Sequence, residues 1–142
     1  MISARIAAVY DLQAEFLEPR LEALGVSWTT FQMLTAIANA GENASQIEVA
    51  RRLGVTAATL SESIQNHVDK GLIRQTKSKK DGRVKLIVLT PRATKILQKI
   101  RDLVLASEEL MTRGLLPHEI SAAAIVLDRI SQNLESGLDR EQ

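Results

Sequence analysis

The chain has 142 residues, of which 45% are apolar and 25% charged, and it contains no cysteine. That length and composition predict one compact, soluble globular domain, and they exclude a disulfide framework, a thiolate metal site, a cysteine nucleophile and a cysteine-based redox sensor. The net charge of +1 conceals an uneven distribution, because residues 41–95 carry eleven Lys/Arg against five Asp/Glu while both flanks are acidic. A block of this kind predicts a polyanion-facing module in the middle of the chain.

Ile2, Ile6, Val9, Leu12, Phe16 and Leu17 recur at three- and four-residue spacing and predict a helix over 2–24. Pro19 is expected to kink or restart it, and Gly25 to end it. Ser27 can cap a second helix with Trp28, Phe31, Leu34, Ile37 and Ala38 facing inward, stopping near Gly41. Ser45-Gln46-Ile47-Glu48 is a capping-box pattern opening a short helix, with Ile47, Ala50 and Leu53 inward and Gly54 at its end. After Val55-Thr56 a fourth helix follows, with Ala57, Leu60, Ile64 and Val68 inward, and it stops at Gly71. Two helices about a tight glycine-containing turn form a helix-turn-helix pattern.

The period then changes. Leu72–Lys77 and Val84–Leu89 read as strands, and the Asp81-Gly82 pair between them is a hairpin-turn signal. Thr90 and Pro91 open a long helix ending near Gly114, and Pro117 opens the last one. The apolar surface of that last helix includes Ile125 and Val126 off the main stripe, so burial on two sides is expected. The tail Gly137–Gln142 is expected to fray. Neither a membrane span nor a signal peptide is recognisable, so the expected compartment is the cytoplasm.

With Leu60, Ile64 and Val68 inward, the helix at 56–70 turns Ala58, Thr59, Glu62, Gln65, Asn66 and Asp69 outward. In a helix-turn-helix this face enters the major groove of double-stranded DNA. Ala58 and the Thr59 methyl suit thymine methyl groups, Gln65 and Asn66 suit adenine edges, and Glu62 can accept from cytosine. Alternatively, Glu62 lies at the groove edge, since a carboxylate facing phosphates is repelled. Lys77, Lys79, Lys80 and Lys85 would track phosphates, and Arg83 would enter the minor groove. Asp81 either holds that guanidinium or caps the turn. Ser45, Gln46, Thr56, Ala57 and Ser61, near the starts of the two helices, complete the expected DNA surface. For catalysis the chain offers little. His67 falls on or beside the inner face of its helix and His118 in the first turn of another, with no nucleotide, hydrolase or metalloprotease motif. No catalytic residue, cofactor or metal site is expected.

The order of elements, with Gly71-Leu72-Ile73-Arg74 leading through Asp81-Gly82-Arg83 to Leu89-Thr90, resembles the MarR family of bacterial winged-helix transcription regulators. Leu24-Gly25-Val26-Ser27 followed by Phe31 and Leu34 is similar to the family's second-helix entrance. The resemblance implies a mainly α fold, with a winged helix-turn-helix over 41–90 and a helical dimerisation region from 1–40 and 91–142. It implies a homodimeric repressor acting on a pseudopalindromic operator. It also implies release by a small aromatic or phenolic anion, with Tyr10, Phe16, Arg20, Trp28 and His67 as the residues to inspect. The family often carries basic residues where this chain has Glu62 and Asn66, an apolar one at His67, and a second arginine at Gly82. These departures imply a different operator and a smaller electrostatic contribution than usual. Two other readings are a winged helix that holds a protein partner and a non-specific architectural DNA binder.

Overall fold

In the computed structural model, which describes residues 1–138, four of the helices start on a hydroxyl cap. Ser27, Ser45, Thr56 and Thr90 accept the backbone N–H three residues on, at 3.1–3.2 Å, and open α2 (Trp28–Ala40), α3 (Gln46–Leu53), α4 (Ala57–Asp69) and α5 (Pro91–Met111). Each cap satisfies a backbone donor that the helix itself leaves unpaired. α1 (Ile2–Ala23) precedes them and α6 (Pro117–Leu138) follows, its entry marked by a Glu119 carboxylate that accepts the Leu116 N–H at 2.8 Å. Strands β1 (Ile73–Lys77) and β2 (Lys85–Leu89) pair antiparallel, from Ile73 opposite Leu89 to Lys77 opposite Lys85.

The described chain divides into two compact units, Met1–Ser107 and a second from Glu108 onward. The core of the first gathers Leu17 and Leu21 of α1, Met33, Leu34 and Ile37 of α2, Val49 of α3, Leu60 and Ile64 of α4, and Ile73 and Ile87 of the hairpin. Ala93 and Ile100 of α5 close it. A further pairing ties the hairpin to the helices: the Ile87 N–H donates to the Ala44 carbonyl at 2.9 Å, and Ser45 bridges Leu86. The start of α3 thus acts as a third edge beside β2.

Several expectations are corrected. Pro19 neither restarts nor interrupts α1, which runs unbroken through it. Nearby, the Arg20 guanidinium donates to the Phe16 carbonyl at 2.6 Å and stacks over the Phe16 ring. Ala38, Ile47 and Ala57 face outward, whereas Thr30, Met33 and Val49 are buried; His67 is buried as its place on the inner face of α4 implies. The capping box at α3 is half formed. Ser45 caps as expected, but the Glu48 carboxylate turns forward to Arg51 and Arg52, with N–O distances of 2.9–3.1 Å. The Arg51 hydrogen bond leads the interactions that hold this carboxyl below the usual glutamate range. No residue of α6 is buried in the single chain, so the two-sided burial expected of it is not met within one copy. α6 continues through Leu138; residues 139–142, the rest of the tail expected to fray, lie outside the described residues.

Candidate nucleic-acid interface

The outward face of α4 is the first component. Ala58, Thr59, Glu62, Gln65, Asn66 and Asp69 are all exposed, as the helical period requires once Leu60 and Ile64 are buried. Their side chains are not equally available. Gln65 donates to Asp69 at 2.9 Å along the helix, and the Thr59 hydroxyl accepts from Thr56 at 3.0 Å. Glu62 has no ion-pair partner among the described residues, so its charge is uncompensated on this face.

Gln46 and Ser61 are brought together in an unexpected way. Gln46 donates to the Ser61 hydroxyl at 2.9 Å and accepts from Gln75 of β1 at 3.4 Å, while Ser61 donates to the Ala57 carbonyl. These side chains lock α3, α4 and β1 together. Ser45 and Thr56 are capping residues first. Ala57 is exposed at the first position of α4.

The hairpin is the second component. Lys77, Lys79, Lys80, Arg83 and Lys85 are exposed. Lys77 and Lys85 stand directly opposite in the register, an arrangement that costs stability unless an anion screens it. The tip is held by its own side chains. Ser78 accepts the N–H groups of Lys80 and Asp81, and Asp81 accepts the Arg83 N–H at 3.0 Å. Asp81 therefore serves the turn and leaves the guanidinium of Arg83 to point elsewhere.

Two contacts that no sequence motif announces fasten the far end of α4. Arg92 donates to the Lys70 carbonyl at 2.8 Å, and Thr90 donates to the Gly71 carbonyl at 2.7 Å. The signal was present in part, since Gly71 sits at φ +72° where a side chain is strained, and a helix ending there leaves carbonyls to satisfy.

A buried chain of hydrogen bonds holds α4 from behind. His67 is 3% exposed, with Nδ1 2.6 Å from the Ser63 carbonyl and Nε2 3.0 Å from the Thr30 hydroxyl. A carbonyl can only accept, so Nδ1 carries a proton, and in the neutral ring Nε2 then accepts from Thr30. Thr30 in turn accepts from Ser27 at 3.0 Å. The chain runs from the cap of α2 to the middle of α4.

Tyr10, Phe16, Arg20, Trp28 and His67 are held in separate side-chain contacts. Tyr10 meets Trp28 edge-on at 6.2 Å between ring centroids, and Trp28 meets Phe31 at 5.0 Å. Phe16 pairs with Arg20, and His67 is committed to Thr30 and Ser63. Trp28 lines a cavity of about 380 Å³ with Glu18, Glu22 and Ser27, whose two carboxylates disfavour an anion there. Among the described residues there is no cluster of three His, Cys, Asp or Glu that could hold a metal, and no helix long and apolar enough to cross a membrane.

A family model described as MarR family matches residues 24–84. The chain is similar to the crystal structure of the transcriptional regulator PA3341, with 28% identity and a TM-score of 0.86, over 96% of this chain and 99% of that one. It shares its fold with a mutant MarR from E. coli complexed with operator DNA, at 22% identity and a TM-score of 0.75, covering 91% and 92% of the two chains. It also shares its fold with BpsR of Bordetella bronchiseptica, whose DNA binding is regulated by 6-hydroxynicotinic acid. That match has 18% identity and a TM-score of 0.74, over 92% and 98% of the two chains.

Proposed function

We propose that this chain, which matches the MarR family model over residues 24–84 and the fold of a solved transcriptional regulator over nearly its whole length, is a cytoplasmic homodimeric repressor of a pseudopalindromic operator. The observation that carries this reading is the face of α4, exposed from Ala58 to Asp69, on the same unit as a hairpin whose tip bears Lys79, Lys80 and Arg83. α4 enters the major groove and the hairpin reaches the adjacent backbone and minor groove. Thr59 and Asn66 read base edges, while the lysines hold the register on phosphate. Glu62 accepts from a cytosine amino group, which offsets its repulsion from the backbone. Residues 41–90 carry the DNA contacts, and 1–40 with 91–142 join two copies.

The dimer rests on apolar side chains that one copy leaves in water. Ile2, Ile6, Val9 and Leu12 of α1 and Ile125, Val126, Leu127 and Leu134 of α6 are exposed. Apolar surface on this scale marks a contact with another chain. Twofold symmetry then places two α4 helices about one turn of DNA apart, which requires an inverted-repeat site. A small aromatic molecule releases the complex, with the Tyr10–Trp28–Phe31 cluster as its apolar platform.

Selection of bound fragments from random duplex DNA tests the whole reading. An inverted repeat bound more than about 10³-fold tighter than random sequence is expected. Recovery of only non-specific fragments would make the protein an architectural binder instead. On the selected site, Arg83→Ala is expected to weaken binding about tenfold and to erase preference for A·T pairs at the site edges. Equal affinities of wild type and variant on A·T and G·C flanks would reject the minor-groove role.

A further inference from the structure

Ile47 lies on α3 and is 79% exposed, although its spacing with Ala50 and Leu53 suits a core position. A single exposed isoleucine is ordinary in itself; its surroundings are not. It lines a cleft of about 430 Å³ between the starts of α3 and α4 and the hairpin. Ala57 and Val84 extend the apolar floor, Arg83 and Lys85 supply positive charge, and no carboxylate lines the cleft. Its other polar side chains are already occupied, Ser45 capping α3 and Gln46 holding Ser61. An occupant therefore meets an apolar surface beside two cations.

We propose that this cleft seats one deoxyribose-phosphate unit of the DNA backbone, with the sugar packed on Ile47 and the phosphate facing Lys85. The inference rests on the DNA-binding reading above and assigns it a contact of a different kind, apolar and indifferent to base identity. Charge selects this occupant over a second copy of the chain. A twofold contact through the cleft would bring the Arg83 and Lys85 of each copy against those of the other. A DNA strand neutralises the same two cations.

The test compares wild type with Ile47→Ser and Ile47→Val, using the full chain, the selected operator and a random duplex of equal length across a salt series. Loss of the apolar contact is expected to weaken Ile47→Ser about five- to twentyfold on both duplexes. The dependence on salt should be unchanged, and Ile47→Val should retain most of the affinity. The melting midpoint should stay the same, because the side chain is already in water. Unchanged affinity of Ile47→Ser would overturn the seat. So would a loss confined to the operator, which would make Ile47 a base reader, or a changed mass in sedimentation, which would make it a contact between copies. Wild type that binds neither duplex at low salt would remove the DNA-binding reading together with this one. Wild type that binds while Ile47→Ser matches it would remove this one alone.

Discussion

Raising salt from 50 to 200 mM is expected to weaken DNA binding by about 10⁴-fold. The estimate follows from the hairpin. Lys77, Lys79, Lys80 and Lys85 are exposed, so each protomer of a dimer presents cations for about four phosphates. Roughly eight phosphates neutralised give a slope near −7 in log affinity against log salt. Glu62 on α4 neutralises no phosphate and so leaves the slope unchanged. A titration followed by fluorescence anisotropy at four or five salt concentrations measures the slope. A value shallower than about −3 would mean that the hairpin does not lie along the backbone.

The second large effect is on stability. His67→Ala is expected to cost about 3 kcal/mol, combining a cavity behind α4 with the loss of two buried hydrogen bonds. In a chain of this size that lowers the melting midpoint by roughly 10 °C at matched protein concentration. The Thr30 hydroxyl would lose its acceptor, and the tie from the α2 cap to α4 would be cut. Thr30→Val should lose part of the same energy, and the double variant should cost less than the two single changes together. Additive losses would show that the ring is packing filler and that the hydrogen bonds contribute nothing to holding α4.

Local chemistry made much of this fold legible. Ser27, Ser45 and Thr90 cap where a hydroxyl preceding an apolar run predicts, and Asp81-Gly82 sits in the turn that joins two strands. Helix phase was less legible where helices are short. α3 has eight residues, and shifting its inner stripe so that Val49 replaces Ile47 leaves Ala50 shared by both patterns. Two turns do not contain enough apolar positions to choose between them. Polar residues that become buried were also hard to foresee, because Thr30 is buried through a partner 37 positions away in sequence. Pro19 does not restart α1 for a related reason, as a helix held by buried Leu17 and Leu21 tolerates one missing N–H that an isolated helix would not.

The candidate interface followed the same division. Exposure on α4 could be read from the period, because Leu60 and Ile64 fix the phase of a thirteen-residue helix. The Gln46–Ser61–Gln75 cluster could not, since it joins three elements whose approach no local pattern encodes. Aromatic composition gave no account of position either. Tyr10 and Trp28 meet, but Phe16 and Arg20 form a separate pair.

The bond from Ile87 to the Ala44 carbonyl, with the Ser45–Leu86 bridge beside it, ties the hairpin to the helix-turn-helix at the entry to α3. The separation between α4 and the hairpin tip is then a fixed gauge, like the jaws of a set calliper. In the complex proposed above, a duplex whose local pitch or groove width misses that gauge would have to deform to fit, and stiff sequences would be turned away even with every base edge correct.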